Sequence, residues 1–194
     1  MDNTEEEAYI SRVKEGDLAP YTLIVDNYKH MAYTIALRIL SNEEDAQDAA
    51  QESFIKAYQQ IHQFKGESKF STWLYTIVYR TSISKLKENK IETISISNSI
   101  EENYSQDYAT PQLEQLQLQD EQRYIRQAIQ RLPKMEALLI SLFYINENTV
   151  REIHAITGLS MTNIKIKLFR ARKKLERELQ FLIKQVFDPI NEND

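Results

Sequence analysis

Three carboxylates in the first third of the chain have a spacing that could bind a metal ion or dock a basic partner. Asp45, Asp48 and Glu52 are three and four residues apart, which places them on one face of a helix. A di-iron bundle would also need Glu-x-x-His pairs, and none precedes any of the three histidines. Two other interpretations stay open: a solvated face in which Glu52 pairs with Lys56, and an acidic docking surface for a basic partner.

A second candidate site lies in residues 64–75, where aromatic, basic and hydroxyl side chains surround a single glycine. Lysines interleaved with aromatic rings are typical of proteins that bind single-stranded nucleic acid, because cations follow the phosphates while rings hold unstacked bases. Trp73 is expected in the core. The side chains expected to be free to face a ligand are Lys65, Ser68, Lys69, Thr72 and Tyr75.

The last third of the chain carries the signals of a helix-turn-helix. Thr149 and Glu152 form a capping box that opens a short helix, Gly158 ends this helix, and Ser160 can cap the next one. Seven basic residues follow within thirteen positions: Lys165, Lys167, Arg170, Arg172, Lys173, Lys174 and Arg177. A basic second helix is suited to the DNA major groove, although many helical hairpins do not bind DNA.

Composition argues against most other classes of protein. Only three of the 194 residues are glycine, too few for the tight hairpins of β-folds or for phosphate-cradling loops. The absence of cysteine excludes thiolate chemistry and fits a reducing cytoplasm, which is where we expect the protein. The histidines show no triad pattern, so we predict no catalytic residue, no metal site and no cofactor.

Charge is distributed along the chain in alternating blocks. Residues 1–55 carry a net charge of −8, residues 56–90 carry +5, residues 91–125 carry −6 and residues 126–194 carry +4, although the whole chain is only −5. Segregation on this scale predicts two basic surfaces and an acidic one that face different partners.

The segments that carry these residues are all predicted to be helices. Apolar residues from Ile24 to Ile39 recur at helical spacing, Ser41 with Glu44 reads as a capping box for a second helix, and Ser71 can cap a third. Residues 91–119 are rich in Ser, Thr, Asn and Gln and predict a linker, with a short strand around Ile94 and Ile96 as an alternative. Thr110-Pro111 should open a further helix that ends near Leu132-Pro133. The predicted fold is therefore all-α, with two small helical domains joined by a polar linker.

Together these segments resemble a bacterial RNA polymerase sigma factor of the extracytoplasmic-function class. Residues 45–54 resemble the signature of region 2.2, and residues 64–74 resemble the loop and Thr-Trp-Leu helix of region 2.3. Residues 131–133, 152–153 and 169–175 resemble region 4. The resemblance implies region 2 in residues 1–90, a linker in 91–115 and region 4 in 116–194.

The resemblance also implies a role for each candidate site in promoter recognition and DNA melting. The face that would bind the β′ clamp helices of core polymerase comprises Asp45, Asp48, Gln51, Glu52 and Phe54. The residues that would capture unpaired bases of the minus-ten element are Lys65, Ser68, Lys69, Ser71, Thr72, Tyr75 and Arg80. The residues that would contact the minus-thirty-five element are Thr162, Asn163, Lys165, Ile166, Lys167, Phe169, Arg170, Arg172 and Lys173.

Further partners and two departures follow from the same resemblance. Region 4 would bind the β flap of the polymerase, and such proteins are commonly held inactive by an anti-sigma factor that is often membrane-anchored. Arg80 stands where the family often has Asn, and His154 replaces a common small residue.

Two rival classes of protein are weighed against this interpretation. A dimeric helix-turn-helix repressor with a sensing bundle would explain the residues after Thr149, but gives no reason for the acidic face or the lysine-rich loop. A carboxylate metalloenzyme predicts bound iron or manganese, which metal analysis of the purified protein would detect.

Overall fold

The computed structural model describes residues 2–96 and 119–187, and the elements within them are helical, which confirms the all-α prediction. The α-helices are α1 (Asn3–Lys14), α2 (Ala19–Leu40), α3 (Glu43–Gln59), α4 (Phe70–Ile96), α5 (Gln119–Gln130), α6 (Lys134–Ile140), α7 (Val150–Thr157) and α8 (Met161–Phe187). A 3-10 turn at Ile61–Gln63 precedes α4, and a π-helical turn at Ser141–Ile145 follows α6. No helix within these residues combines the length and the apolar character that crossing a bilayer would require.

Helices α1–α4 form an N-terminal bundle in which α2, α3 and α4 pack against one another and α1 packs on α2. Ile24, Ile35 and Ile39 of the predicted apolar stripe are buried, and they belong to the same hydrophobic cluster as the buried alanines of α3. Small residues at positions such as Ala46, Ala49 and Ala57 let helices approach closely, which is consistent with the tight packing of this core.

Two predicted helix caps are wrong in this bundle. Ser41 does not cap α3, because it ends α2 in a left-handed conformation with φ 59°. The side chain of Asn42 is the cap instead and accepts a hydrogen bond from the backbone N–H of Asp45. Ser71 lies inside the first turn of α4, which begins one residue earlier at Phe70.

The alternative of a short strand around Ile94 and Ile96 is contradicted, because both residues belong to α4. This helix extends to Ile96 and so enters the segment predicted as a linker. The predicted helix start at Thr110-Pro111 lies outside the described residues. The predicted end near Leu132-Pro133 is confirmed, since α5 ends at Gln130.

Helices α5–α8 form a C-terminal bundle that contains the predicted helix-turn-helix. The Thr149 and Glu152 capping box opens α7 as predicted, with both of its reciprocal hydrogen bonds present. The hydroxyl of Ser160 accepts a hydrogen bond from the N–H of Asn163, which confirms the cap of α8. Helix α8 is anchored by buried Ile164, Leu168 and Ala171, so its other faces are left to solvent.

Gly158 closes the turn between α7 and α8 in the left-handed region, with φ 72°. Its N–H donates to the carbonyl of His154, and a Cβ added here would meet no neighbouring atom within 4 Å. We therefore expect Gly158→Ala to lower the free energy of unfolding by about 1 kcal/mol through backbone strain alone. Urea denaturation would measure this loss. A loss of less than half that size would contradict the strain account.

The two bundles are in contact with each other. Helix α4 packs against α7, and α2 packs against α6. The N-terminal end of α4 therefore lies beside the first helix of the helix-turn-helix.

Candidate functional site

The acidic face of α3 is neutralised from within the chain. The Nζ of Lys85 on α4 lies 3.2 Å from a carboxylate oxygen of Asp45 and 3.1 Å from one of Asp48, and the amide of Asn89 also donates to Asp45. Burial alone would lower the pKa of Lys85, but its hydrogen bonds and charge attraction to the two carboxylates raise it above the ordinary value. No three His, Asp or Glu side chains of the described ranges cluster as a metal ion would require.

The outer part of this face remains available to a partner. Asp48 and Gln51 are exposed, and Glu52 pairs with Lys56 at 2.6 Å, as the solvated-face interpretation predicts. Such exposed pairs contribute little to stability, so a partner can displace them at low cost. The expectation that Phe54 belongs to the docking face is not met here, because its side chain is only 8% exposed and packs in the core.

Ile55 is an apolar member of the α3 surface that the sequence interpretation missed. It is 59% exposed and lies three residues after Glu52, next to the carboxylates. The helical period could have indicated it, because Ile55 does not belong to the buried stripe of Ala50, Phe54 and Ala57. An exposed isoleucine surrounded by polar residues suits a protein interface.

The lysine loop, defined as residues 65–69, projects from an aromatic base. Phe64 and Phe70 bracket the loop, and their rings meet edge to face with centroids 5.3 Å apart. Trp73 lies 5.5 Å from Phe64 and 5.4 Å from Phe70, which confirms that it packs against the core. All five loop residues are exposed, and Gly66 provides the positive φ of 75° that the turn needs.

Lys14 at the end of α1 holds the base of the lysine loop, and the sequence interpretation missed it. Its Nζ donates to the carbonyl of Phe64 at 2.6 Å and lies 5.6 Å from the centre of the Phe64 ring. Helix α1 is tied to the same bundle by Glu6, which accepts a hydrogen bond from the Tyr28 hydroxyl. No local signal could reveal this contact, because Lys14 and Phe64 are 50 residues apart.

We expect Lys14→Met to lower the free energy of unfolding by about 1–2 kcal/mol, because a partly buried hydrogen bond from a charged donor is lost. Lys14→Arg keeps a donor and a cation near the ring, so it should recover most of the loss. Urea denaturation of the three proteins makes the comparison. Equal stability of Lys14→Met and the wild type would contradict the role assigned to this lysine.

Not all of the residues expected to face a ligand are exposed. Lys65, Ser68 and Lys69 are exposed as predicted, whereas Thr72 and Tyr75 are each only 3% exposed. Burial raises the pKa of Tyr75 to about 12, and the side chain of Asn146, from the C-terminal bundle, acts on this pKa in the opposite direction. On the same helix, Arg80 is exposed and Ser71 is half-buried.

Helix α8 presents one exposed face that mixes cations with apolar groups. Thr162, Ile166, Phe169 and Lys173 recur at spacings of four, three and four, and all are exposed. The Nζ of Lys173 lies 4.7 Å from the centre of the Phe169 ring. Other predicted residues that are exposed are Asn163, Lys165, Arg170 and Arg172, whereas Lys167 is half-buried.

Two other cations of the C-terminal bundle have structural partners. Lys174 pairs with the largely buried carboxylate of Glu136 at 2.9 Å, and Arg131 pairs with Glu178 at 3.2 Å. These contacts fix α8 against α5 and α6. The basic face of α8 is therefore smaller than the sequence count of cations indicates.

Comparison with known proteins identifies both bundles. A model of sigma-70 region 2 matches residues 24–91, and a model of sigma-70 region 4 matches residues 122–175. The fold and its surfaces thus define a sigma-70-type promoter-recognition factor of bacterial RNA polymerase. The ECF RNA polymerase sigma factor SigW of Bacillus subtilis is 34% identical over 182 residues, covering 89% of this chain and 96% of that protein. The ECF RNA polymerase sigma-E factor of Escherichia coli is 31% identical over 186 residues, covering 93% and 97%. The chain belongs to the extracytoplasmic-function (ECF) class of sigma factors.

Solved structures share the fold at low sequence identity. The sigma factor RpoE of Bartonella quintana, crystallised with the anti-sigma factor NepR, has a TM-score of 0.63 at 22% identity, over 82% of this chain and 96% of that one. CnrH in complex with the cytosolic domain of CnrY has a TM-score of 0.59 at 17% identity, over 91% and 97%. These likenesses establish the arrangement of helices.

Proposed function

We propose that this chain binds core RNA polymerase through α3, reads the minus-thirty-five element with α8 and captures melted minus-ten bases with the lysine loop. Region 2 would occupy residues 1–90, the linker residues 91–115 and region 4 residues 116–194. The observation that carries the proposal is the position of the two exposed cationic surfaces. The lysine loop lies in the stretch that matches region 2, and the face of α8 lies in the stretch that matches region 4.

The docking role of α3 is supported by charge and shape. Asp48, Gln51 and Glu52 surround the exposed Ile55, so the surface has an apolar centre and an acidic rim. A basic helix pair such as the β′ clamp would bury Ile55 and displace Lys56 from Glu52. Lys85 holds Asp45 in place while leaving Asp48 largely exposed.

The two DNA surfaces would act in different ways. Residues of α8 can place Phe169 and Ile166 against base edges while Arg170 and Lys173 contact phosphates. The lysine loop would bind extruded bases better than stacked ones and so shift the duplex toward the melted state. The free energy of binding therefore drives melting of the duplex, and the chain itself needs no catalytic group.

Other partners and the compartment are part of the same proposal. One structural neighbour was crystallised with the anti-sigma factor NepR, which supports a similar inhibitor here, either free or membrane-anchored. Region 4 would also contact the β flap. Because RNA polymerase acts on the chromosome, the protein would work in the cytoplasm.

Size-exclusion chromatography with purified core polymerase tests the docking role. We expect the chain to co-elute with core and to bind duplex promoter DNA tightly only in that complex. Failure to associate with core, together with tight binding of a palindromic duplex by the chain alone, would favour the repressor interpretation.

A further inference from the structure

A lysine of α4 occupies two carboxylates of the docking face on α3. The Nζ of Lys85 lies 3.2 Å from a carboxylate oxygen of Asp45 and 3.1 Å from one of Asp48, and it donates a hydrogen bond to Asp48. Both acids belong to the face that would bind core polymerase. Lys85 therefore holds, from within the chain, groups that a basic partner would bind.

The two contacts of Lys85 differ in how accessible they are. The side chains of Lys85 and Asp45 are only 21% and 28% exposed, and the amide of Asn89 also donates to Asp45. The side chain of Asp48 is 64% exposed, and Lys85 contacts it at one carboxylate oxygen, Oδ2. An approaching cation can therefore take the place of Lys85 at Asp48 while Lys85 keeps its contact with Asp45.

The same contacts reduce the attraction that the face exerts on a basic partner. Asp45, Asp48 and Glu52 carry three negative charges, and Lys85 and Lys56, which pair with them, carry two positive ones. A partner therefore meets a net charge of −1 where the three acids alone would give −3. Complementary charge across an interface steers association and contributes to affinity, so this difference bears directly on docking.

Loss of a proton does not release Lys85 at neutral pH. Burial alone would lower its pKa, but the hydrogen bonds and charges of Asp48 and Asp45 hold the pKa of Lys85 above the ordinary lysine value. The side chain therefore stays a cation while the face is free. Only another cation can take Asp48 from it.

We propose that Lys85 is an intramolecular competitor of core polymerase, which occupies Asp48 in the free chain and yields it to a basic side chain of the partner on docking. This inference rests on the proposed function, because it needs the α3 face to be the docking surface. Part of the free energy of docking is spent on breaking the contact between Lys85 and Asp48. Lys85 thus limits how tightly the chain binds core, and a chain without this lysine should bind more tightly.

Removing the charge of Lys85 tests the proposal. Lys85→Met keeps most of the apolar stem of the side chain and removes the ammonium group. In competition against labelled wild-type protein, it should bind core about fivefold more tightly, the upper end of what one partly exposed ion pair contributes. The matched control is Lys87→Met, which removes the same charge from an exposed position of the same helix and should stay within about twofold of wild type.

A double-mutant cycle shows whether Asp48 is the group for which Lys85 and core compete. Lys85→Met is combined with Asp48→Asn, and its effect on core affinity is compared with its effect in the wild-type chain. If the competition is at Asp48, Lys85→Met should change the affinity of the Asp48→Asn chain by less than about twofold. A gain as large as in the wild-type chain would mean that Lys85 acts only through overall charge, and it would overturn the inference.

A second background guards the test against loss of folding. Lys85→Met leaves the partly buried Asp45 without its cation, which lowers stability. The substitution is therefore also made in an Asp45→Asn chain, where the neutral amide needs no counter-ion and Asp48 is retained. Core affinity should again rise about fivefold relative to Asp45→Asn alone. No gain in either background, in proteins whose thermal unfolding shows that they are folded, would contradict the role of Lys85.

The wild-type measurement separates this inference from the proposed function. If neither wild-type nor Lys85→Met protein associates with core, both the docking role of α3 and the competition by Lys85 are refuted. If the wild type binds core and Lys85→Met binds it no more tightly than Lys87→Met does, the docking role stands and only the competition is refuted.

Discussion

Reversing the two outer carboxylates of α3, with Asp48→Lys and Glu52→Lys in one protein, is expected to weaken binding to core polymerase about a hundredfold. Like charges opposed across an interface cost several kcal/mol, and a hundredfold corresponds to about 2.7 kcal/mol. The change would also set new cations beside Lys85 and Lys56, so the face would become basic rather than neutral. Competition against labelled wild-type protein for core measures the affinity.

The control for this prediction changes the net charge equally at other sites. Glu15→Lys with Glu176→Lys replaces two exposed carboxylates outside α3 and should leave core binding within about twofold of wild type, as distant surface charges are screened by salt. In the absence of core, the α3 variant should bind duplex DNA as weakly as the wild type does. An equal loss of core binding in both proteins would show that net charge, and not this face, determines docking.

Removing two exposed cations of α8, with Arg170→Ala and Lys173→Ala, is expected to weaken binding of the holoenzyme to duplex promoter DNA at least tenfold at moderate salt. Each lost phosphate contact should also reduce the slope of log affinity against log salt by about 0.9, so the pair should reduce it by about 1.8. Fluorescence anisotropy across a salt series gives both quantities. Core binding should be retained, because neither residue lies on α3.

Lys174→Ala is the matched control for that experiment. Lys174 follows Lys173 directly but pairs with Glu136 and so should not reach phosphates. Its loss should leave the salt slope unchanged and lower the free energy of unfolding, since a largely buried carboxylate loses its partner. A slope change as large as that of the Arg170 and Lys173 variant would contradict the assignment of the DNA-binding face.

The features that could be predicted from sequence are those that a few neighbouring residues determine. The helix-turn-helix depends on Thr149, Glu152, Gly158 and Ser160, and each acts on backbone within four residues of itself. The apolar stripe of α2 follows from the helical period in the same way. These elements were predicted correctly because no distant contact competes with them.

The features that were missed depend on contacts between distant parts of the chain. One exception is local: α2 continues through Leu40 and leaves Ser41 in a left-handed conformation, so Asn42 caps α3 in its place. The contact of Lys14 with Phe64 and the burial of Tyr75 near Asn146 join residues 50 and 71 positions apart. Periodicity and local caps carry no information about such pairs.

Of the candidate sites, the chemistry was predicted better than the accessibility. The charged side chains lie on the surfaces where they were expected. However, Asp45 pairs with Lys85, and Lys69 pairs with Glu152. Thr72, which was expected to face a ligand, is buried. Sequence shows which groups are present, while the packing of α4 against α3 and α7 decides which of them are free.

In vitro transcription with core polymerase across a library of promoter templates tests the central claim most directly. If the chain is a promoter-specificity subunit, core supplied with it should initiate on a restricted set of templates that share sequence at the minus-ten and minus-thirty-five positions, and core alone should not. The Asp48→Lys, Glu52→Lys protein should give little transcript on the same set. Absence of core-dependent initiation on every template, with purified protein that is folded, would contradict the account.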